Sequence, residues 1–217
     1  MKMERHSFAM KVNEGCMDGF RSTLGSVWAD VTAFLDRNGL TNFSLWTAAD
    51  LVFGYYESAD GKEFTEEEKK AAAAFIDAFA PFGEWLSKPG REMRLMYHNF
   101  GIVRENKELI RHRMFMTKLK PGCAEEYKRR HDGLIEQRGD TVDPGPDSNF
   151  SIWSDGTYIF GYNEIDTTME KEETPEEHAA TVEWETRQLG IMDWITNDCD
   201  WLTGEIHAQS RRIAWHN

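Results

Sequence analysis

Residues 8–16 read FAMKVNEGC, and residues 115–123 read FMTKLKPGC. The likeness extends along the chain. NFSLW at Asn42–Trp46 returns as NFSIW at Asn149–Trp153, and FGYYE at Phe53–Glu57 returns as FGYNE at Phe160–Glu164. All three pairs stand 107 positions apart. Similarity held at one spacing marks a structural unit used twice. A fourth pair, RLMYHN at Arg94–Asn99 and RIAWHN at Arg212–Asn217, stands 118 apart, so the second copy carries eleven extra residues before its last strand. The acidic EKEETPEE at Glu170–Glu177 or the stretch after Trp194 is the place for them.

Each copy reads as strand, helix, strand, strand, helix, strand. The segments Phe8–Val12 and Met114–Leu119 alternate and use β-favouring residues, and each runs into Gly-Cys, a turn before a helix. The first helix of copy one spans about Asp18 to Asn38 and stops at Gly39. In copy two the helix stops near Arg138, because GDTVDPGPDS follows with two prolines. Thr65 and Glu68 form a capping-box pattern before an alanine-rich helix that Pro81 kinks or ends. The order βαββαβ is ferredoxin-like. The expected class is therefore α+β, with repeats at 1–103 and 111–217. One such unit leaves a sheet face bare, so two are expected to cover each other as an intrachain pseudo-dimeric α+β barrel. The charged GIVRENKELIRHR at Gly101–Arg113 is the connector, read as ordered.

Composition narrows the function. The chain has 217 residues, 40% of them hydrophobic, which is enough for a packed core. A net charge of −13 argues against nucleic-acid phosphates and against anionic membrane surfaces. No apolar run reaches the length of a membrane span, and no signal-peptide core is present, so the expectation is a cytoplasmic protein with a small-molecule ligand. Cys16, Cys123 and Cys199 lack zinc-site spacing and read as free thiols. Neither a metal site nor a dinucleotide or P-loop motif is expected. His98 and His216 end the fourth repeated motif in both copies and read as structural.

The chemistry is expected in EEYKRRHDG, Glu125–Gly133. Tyr127 and His131 are i, i+4 on one helix face, and Arg130 can join that face. Histidine is the side chain best suited to exchange protons near neutral pH. Taken alone, the segment is a charged surface helix. Copy one changes that reading. It has Phe20 for Tyr127 and Leu24 for His131, which keeps the bulk and loses the polar atoms. The position therefore packs inward, and only copy two carries the acid/base pair.

The run RHRMFMTKLKPGCAEEYKRRHDG, with NFSIW and FGYNE after it, resembles the L-rhamnose mutarotase family. The Tyr-x-Arg-Arg-His helix is the specific part of the likeness. The resemblance covers nearly all of copy two and, more weakly, copy one. It implies a cofactor-free enzyme that interconverts the anomers of a hexose, with His131 as main acid/base and Tyr127 beside it. A monosaccharide is then the partner, within the intrachain pseudo-dimer, with further self-association left open. Phe150 stands where the family commonly has a tyrosine that reaches the sugar. The family's paired tryptophans are thinned to Trp184, with Trp194 and Trp201 further on. Arg130, Phe150, Trp153, Trp184 and Trp194 are the candidate binding residues. Plain core packing is the competing reading for the tryptophans. The competing functions are another cofactor-free barrel enzyme, a monooxygenase or isomerase, and a sugar-binding module without catalysis.

Overall fold

The computed structural model describes residues 3–196 and 207–217. Two compact units divide the chain: Met1–Met93 with Arg211–Asn217, and Arg94–Ser210.

Unit one contains β1 (Met3–Val12), α1 (Met17–Asn38), β2 (Thr41–Ala48), β3 (Leu51–Ala59), α2 (Glu66–Phe79) and β4 (Gly83–Ser87). Unit two contains β5 (Arg94–Asn99), β6 (Ile110–Leu119), α3 (Ala124–Arg138), β7 (Asp147–Ser154), β8 (Tyr158–Asp166), α4 (Pro175–Gln188) and β9 (Met192–Trp194). The last strand, β10 (Arg211–His216), returns to unit one. The antiparallel sheets run β10-β2-β3-β1-β4 and β5-β7-β8-β6-β9. In each, four neighbouring strands have the ferredoxin-like order and a fifth is added at one edge.

That fifth strand differs from the sequence expectation. The boundaries 1–103 and 111–217 follow the repeats along the chain, with RLMYHN and RIAWHN closing each copy. In the fold, the fourth strand of each βαββαβ unit is β4 or β9, and the closing motifs pair elsewhere. Arg94–Asn99 lies on β7, and Arg211–His216 lies on β2. The short strands β4 and β9 share little sequence, so the repeat comparison passed over them. Their equivalence emerges from register: Met10 pairs with Trp85, and Thr117, its counterpart, pairs with Trp194.

The local signals behave as the residues dictate. Gly39 takes the left-handed conformation at φ 61 and ends α1, its N–H bonded to the Asp36 and Leu35 carbonyls. Thr65–Glu68 forms the capping box of α2, and Thr174–Glu177 forms a second one on α4. Ahead of Pro81, α2 stops at Phe79 and continues as one 3-10 turn. α3 ends at Arg138. Two of the eleven extra residues of copy two lie between β8 and α4, and the other nine follow β9. Both places expected from sequence are therefore used.

The repeated motifs have a physical basis. Phe8 pairs with Gly54, and Phe115 pairs with Gly161. A Cβ at Gly54 would lie 2.0 Å from the Phe8 ring, and one at Gly161 2.1 Å from the Phe115 ring, so the ring covers bare backbone in each copy. Asn42 and Asn149 sit at φ 50 and 53, where each sheet shifts register. Their amides donate to Glu57 at 2.9 Å and to Glu164 at 3.0 Å, and those carboxylates also accept from the Tyr55 and Tyr162 hydroxyls. Lys107 adds an ion pair of 2.6 Å to the fully buried Glu164.

Both helices of unit one cover one face of its sheet. Phe20, Leu24, Phe34 and Phe79 pack there against Phe8, Phe43, Leu45 and Val52. In unit two, Tyr127 packs against Leu119, Ile152, Ile159 and Met96, the last of these from the added strand β5.

Candidate active site

The helix α3 starts after Cys123 and places Tyr127 and His131 one turn apart on its buried face, 2% and 4% exposed. The imidazole Nδ1–H donates to the Tyr127 carbonyl oxygen at 2.9 Å. This bond selects the tautomer and leaves Nε2 as the basic nitrogen. Burial drives the His131 pKa down to about 4, against the raising effect of the Tyr127 carbonyl. The ring is therefore neutral at pH 7. Tyr127 stacks on it at 4.2 Å between centroids. Burial, with the Glu185 charge second, pushes the Tyr127 hydroxyl pKa up, so the hydroxyl stays protonated.

Five further aromatic side chains continue the wall. The Trp184 ring from α4 meets His131 edge-on at 5.4 Å, and Tyr97 from β5 meets it at 5.5 Å. Tyr97 in turn touches Phe150 at 5.4 Å. Phe115 lies 6.3 Å from Phe150 and 5.9 Å from Trp194. Tyr127, His131, Phe150, Trp184 and Trp194 thus belong to one aromatic assembly under the helices.

The other two candidates are placed differently. Arg130 is held by Glu126 at 2.8 Å and by the Arg187 carbonyl, which fastens α3 to the end of α4. Trp153 points to the opposite sheet face from Ile152. It is buried, and its indole N–H donates to Ser151 at 3.0 Å, as Trp46 donates to Ser44 in copy one. A tryptophan bonded identically in both copies is part of the common scaffold.

Several residues of this interior escaped the sequence reading. Counting from the matched capping threonines, Trp184, Glu185 and Gln188 take the places of Phe75, Ile76 and Phe79. On the sheet, Thr117 takes the place of Met10, Asp147 of Leu40 and Asn163 of Tyr56. The interior is thus apolar in copy one and polar in copy two at position after position. Phe79 lies 4.7 Å from Phe20, which is the counterpart of Tyr127. Gln188 holds that position in copy two, 1% exposed, with neither its amide nitrogen nor its amide oxygen bonded within the protein. The Thr117 hydroxyl is also buried without a partner. Orphaned buried groups of this kind cost roughly 1–3 kcal/mol each, and a ligand with several hydroxyls is a natural partner for them. The signal was present in the sequence: Thr117, Asp147 and Asn163 keep the spacing of 107 that exposed Phe20 and Leu24, and the second-helix positions stand 109 apart, counted from the capping threonines.

A family model described as L-rhamnose mutarotase matches residues 5–85 and 112–210, one segment in each copy. The chain belongs to the L-rhamnose mutarotase family. It is accordingly a sugar mutarotase, an isomerase-type enzyme, carrying the family unit twice. No curated protein and no solved structure matched the chain. Among the described residues, no group of three or more His, Cys, Asp or Glu side chains is placed to hold a metal ion. No helix among them is long and apolar enough to cross a membrane.

His216 bonds to Asp36 at 2.6 Å, while His98 stacks on Phe100 at 4.8 Å. The two histidines match in sequence and differ in register. His98 pairs with Ser151, but His216 pairs with Phe43, one position out of step. Cys16 and Cys123 are free thiols. Cys199 and Trp201 lie outside the described residues.

Proposed function

We propose that unit two interconverts the α and β anomers of L-rhamnose or a closely related hexose, an epimerase-type reaction at C1, and that unit one takes no part in the proton transfer. The observation that carries this reading is the buried, neutral His131, its Nδ1–H tied to the Tyr127 carbonyl and its Nε2 free to act as a base.

Ring opening removes the O1 proton, forms the C1=O1 double bond and breaks the C1–O5 bond, and O5 takes up a proton. His131 Nε2 accepts the O1 proton, and the Tyr127 hydroxyl serves O5. Rotation about C1–C2 turns the aldehyde face, and closure runs the transfers in reverse. A positioned acid or base contributes about 10²–10⁴-fold to such a step. Trp184 and Phe150 offer apolar faces to the pyranose. Gln188 and Thr117 exchange hydrogen bonds with its hydroxyls, which explains their lack of partners within the protein. Arg130 and Trp153 act through the scaffold.

Saturation-transfer proton NMR of L-rhamnose reads the exchange of anomers directly. His131→Asn keeps similar volume and removes the base. The expected result is a fall of about 10²-fold or more in the catalysed exchange rate with sugar affinity nearly unchanged. Exchange at the original rate would overturn the reading, and sugar binding without any acceleration in the unaltered protein would make unit two a binding module.

A further inference from the structure

Unit one holds a cavity of about 280 Å³ between its sheet and its helices, open to the surface at one end. Phe20, Leu24, Phe43, Val52, Phe79 and Trp85 are among its lining residues. It occupies the place that the polar interior holds in unit two, with Phe20, Leu24 and Phe79 standing for Tyr127, His131 and Gln188. Lys69 and Gly90, both exposed, mark where it meets the surface.

Apolar side chains at these positions need not have left a space. Larger side chains would close such a space, since an unfilled apolar cavity costs stability in proportion to its volume. Water is a poor filler, because it needs two to four polar partners and these walls supply almost none. Apolar cavities of about 150 Å³ stay dry and take up benzene, and this one is nearly twice that size. A hexose is a poor fit here, because its hydroxyls would leave water with nothing on Phe20, Leu24 or Phe79 to replace it. Tyr56, Lys69 and Trp85 are the lining residues that carry polar side-chain atoms, and of these the Trp85 indole N–H is buried and has no acceptor. A buried donor of this kind calls for an acceptor.

We propose that unit one is a second ligand site, for a small apolar molecule carrying one hydrogen-bond acceptor, of the aryl or alkyl carbonyl class. The hydrocarbon body fills the space among Phe20, Leu24, Phe43 and Val52, and its oxygen accepts from Trp85 Nε1–H. The two copies of one unit then bind different chemical classes, a polar sugar in unit two and an apolar carbonyl compound in unit one. The inference rests on the unit-one cavity alone and stands whether or not unit two acts on a sugar.

Acetophenone and ethylbenzene, nearly equal in size and differing at the carbonyl, test this on the full-length protein. Binding is read from the methyl NMR resonances of Leu24, Leu35, Leu45 and Val52. Both probes are expected to shift these signals, with acetophenone bound roughly fivefold tighter, the worth of one net hydrogen bond. Trp85→Phe keeps the wall apolar and is expected to bring the two affinities together. Ala72→Phe fills the cavity and is expected to abolish both shifts while sugar anomer exchange continues unchanged, which also reports a folded protein. Methyl signals unmoved up to the solubility limit of the probes would overturn the proposal, as would shifts that survive Ala72→Phe in a protein that still exchanges anomers. Equal affinity for the two probes in the unaltered protein would overturn the role given to the Trp85 N–H.

Discussion

At His131, burial keeps an ordinary imidazole neutral across a wide pH range. Its pKa near 4 keeps the imidazole neutral well below the usual histidine range. Catalysed exchange is therefore expected to stay level from pH 8 down to about pH 5 and to fall to half near pH 4. A pH–rate profile checks this, and a midpoint near 6.5 would show a solvated ring. The same shift has a stability consequence. The unfolded chain binds a proton at His131 below about pH 6.5, whereas the folded chain binds it only near pH 4. The stabilisation is thus present above about pH 6.5 and is lost as pH falls towards 4, by roughly 3 kcal/mol. His131→Leu, which imitates Leu24 of copy one, should lose less stability over that interval in denaturant titrations at pH 7 and pH 4. At Gln188 the expected signs of the two effects are opposite. Gln188→Leu removes an unbonded buried amide, so the protein should become more stable by about 1 kcal/mol while sugar affinity drops about tenfold. Thermal unfolding and the anomer-exchange titration read the two effects separately. A drop in stability would mean that the amide is bonded inside the protein.

The elements show which sequence signals translate directly into structure. Helix ends follow local chemistry: Gly39, Pro81 and the Thr65–Glu68 box each act within one turn, and each sits where the sequence reading put it. Strand pairing is a different matter. A strand of five or three residues, like β4 or β9, has too short a pattern to be read alone, and its partner lies far away in sequence. The Phe–Gly cross-strand pair is the firmest feature of both sheets. Gly161→Ala would drive a methyl group into the Phe115 ring, so a loss of about 1–3 kcal/mol is expected in urea unfolding. Gly54→Ala against Phe8 should cost a similar amount. A neutral result at either position would mean that the ring is free to swing away. The added strand β5 also reaches the site, since it delivers Tyr97 to within 5.5 Å of His131. Tyr97→Ala should accordingly slow anomer exchange, although Tyr97 precedes the whole of the second repeat.

For the molecule as a whole, each compact unit takes one edge strand from the other sequence repeat. Unit one takes its edge strand from residues 211–216, and unit two takes its own from residues 94–99. A fragment ending near Lys107 keeps β5 without β7 and leaves the β2 edge bare. Exposed strand edges pair with other chains, so this fragment is expected to aggregate or dimerise, as is the complementary one. A monodisperse, cooperatively folding 1–107 fragment in sedimentation and thermal unfolding would contradict this. The same reasoning predicts that removing residues 211–217 destabilises unit one first, which hydrogen exchange would show as early loss of protection in β2.

The sequence alone determined the doubling of the unit, the α+β class, most element boundaries and the inward packing of Tyr127 and His131 on one helix face. These are local patterns, or comparisons at a fixed spacing within one chain. The register comparison could have gone further, since Met10 against Thr117 and Phe79 against Gln188 carry the same message as Leu24 against His131. Tertiary structure alone decided which sheet the closing strands join and that β4 and β9 complete the ferredoxin-like order. It also turned Trp153 away from the helices and Tyr97 towards His131, and it drew Arg130 into the α3–α4 contact. Which face a strand residue occupies depends on one residue of register, and register is set by bulges at Asn42 and Asn149 and by partners a hundred positions away. An imidazole with its pKa near 4 is likewise a property of the packing that buries the ring, where desolvation outweighs the hydrogen bond that the helix itself supplies.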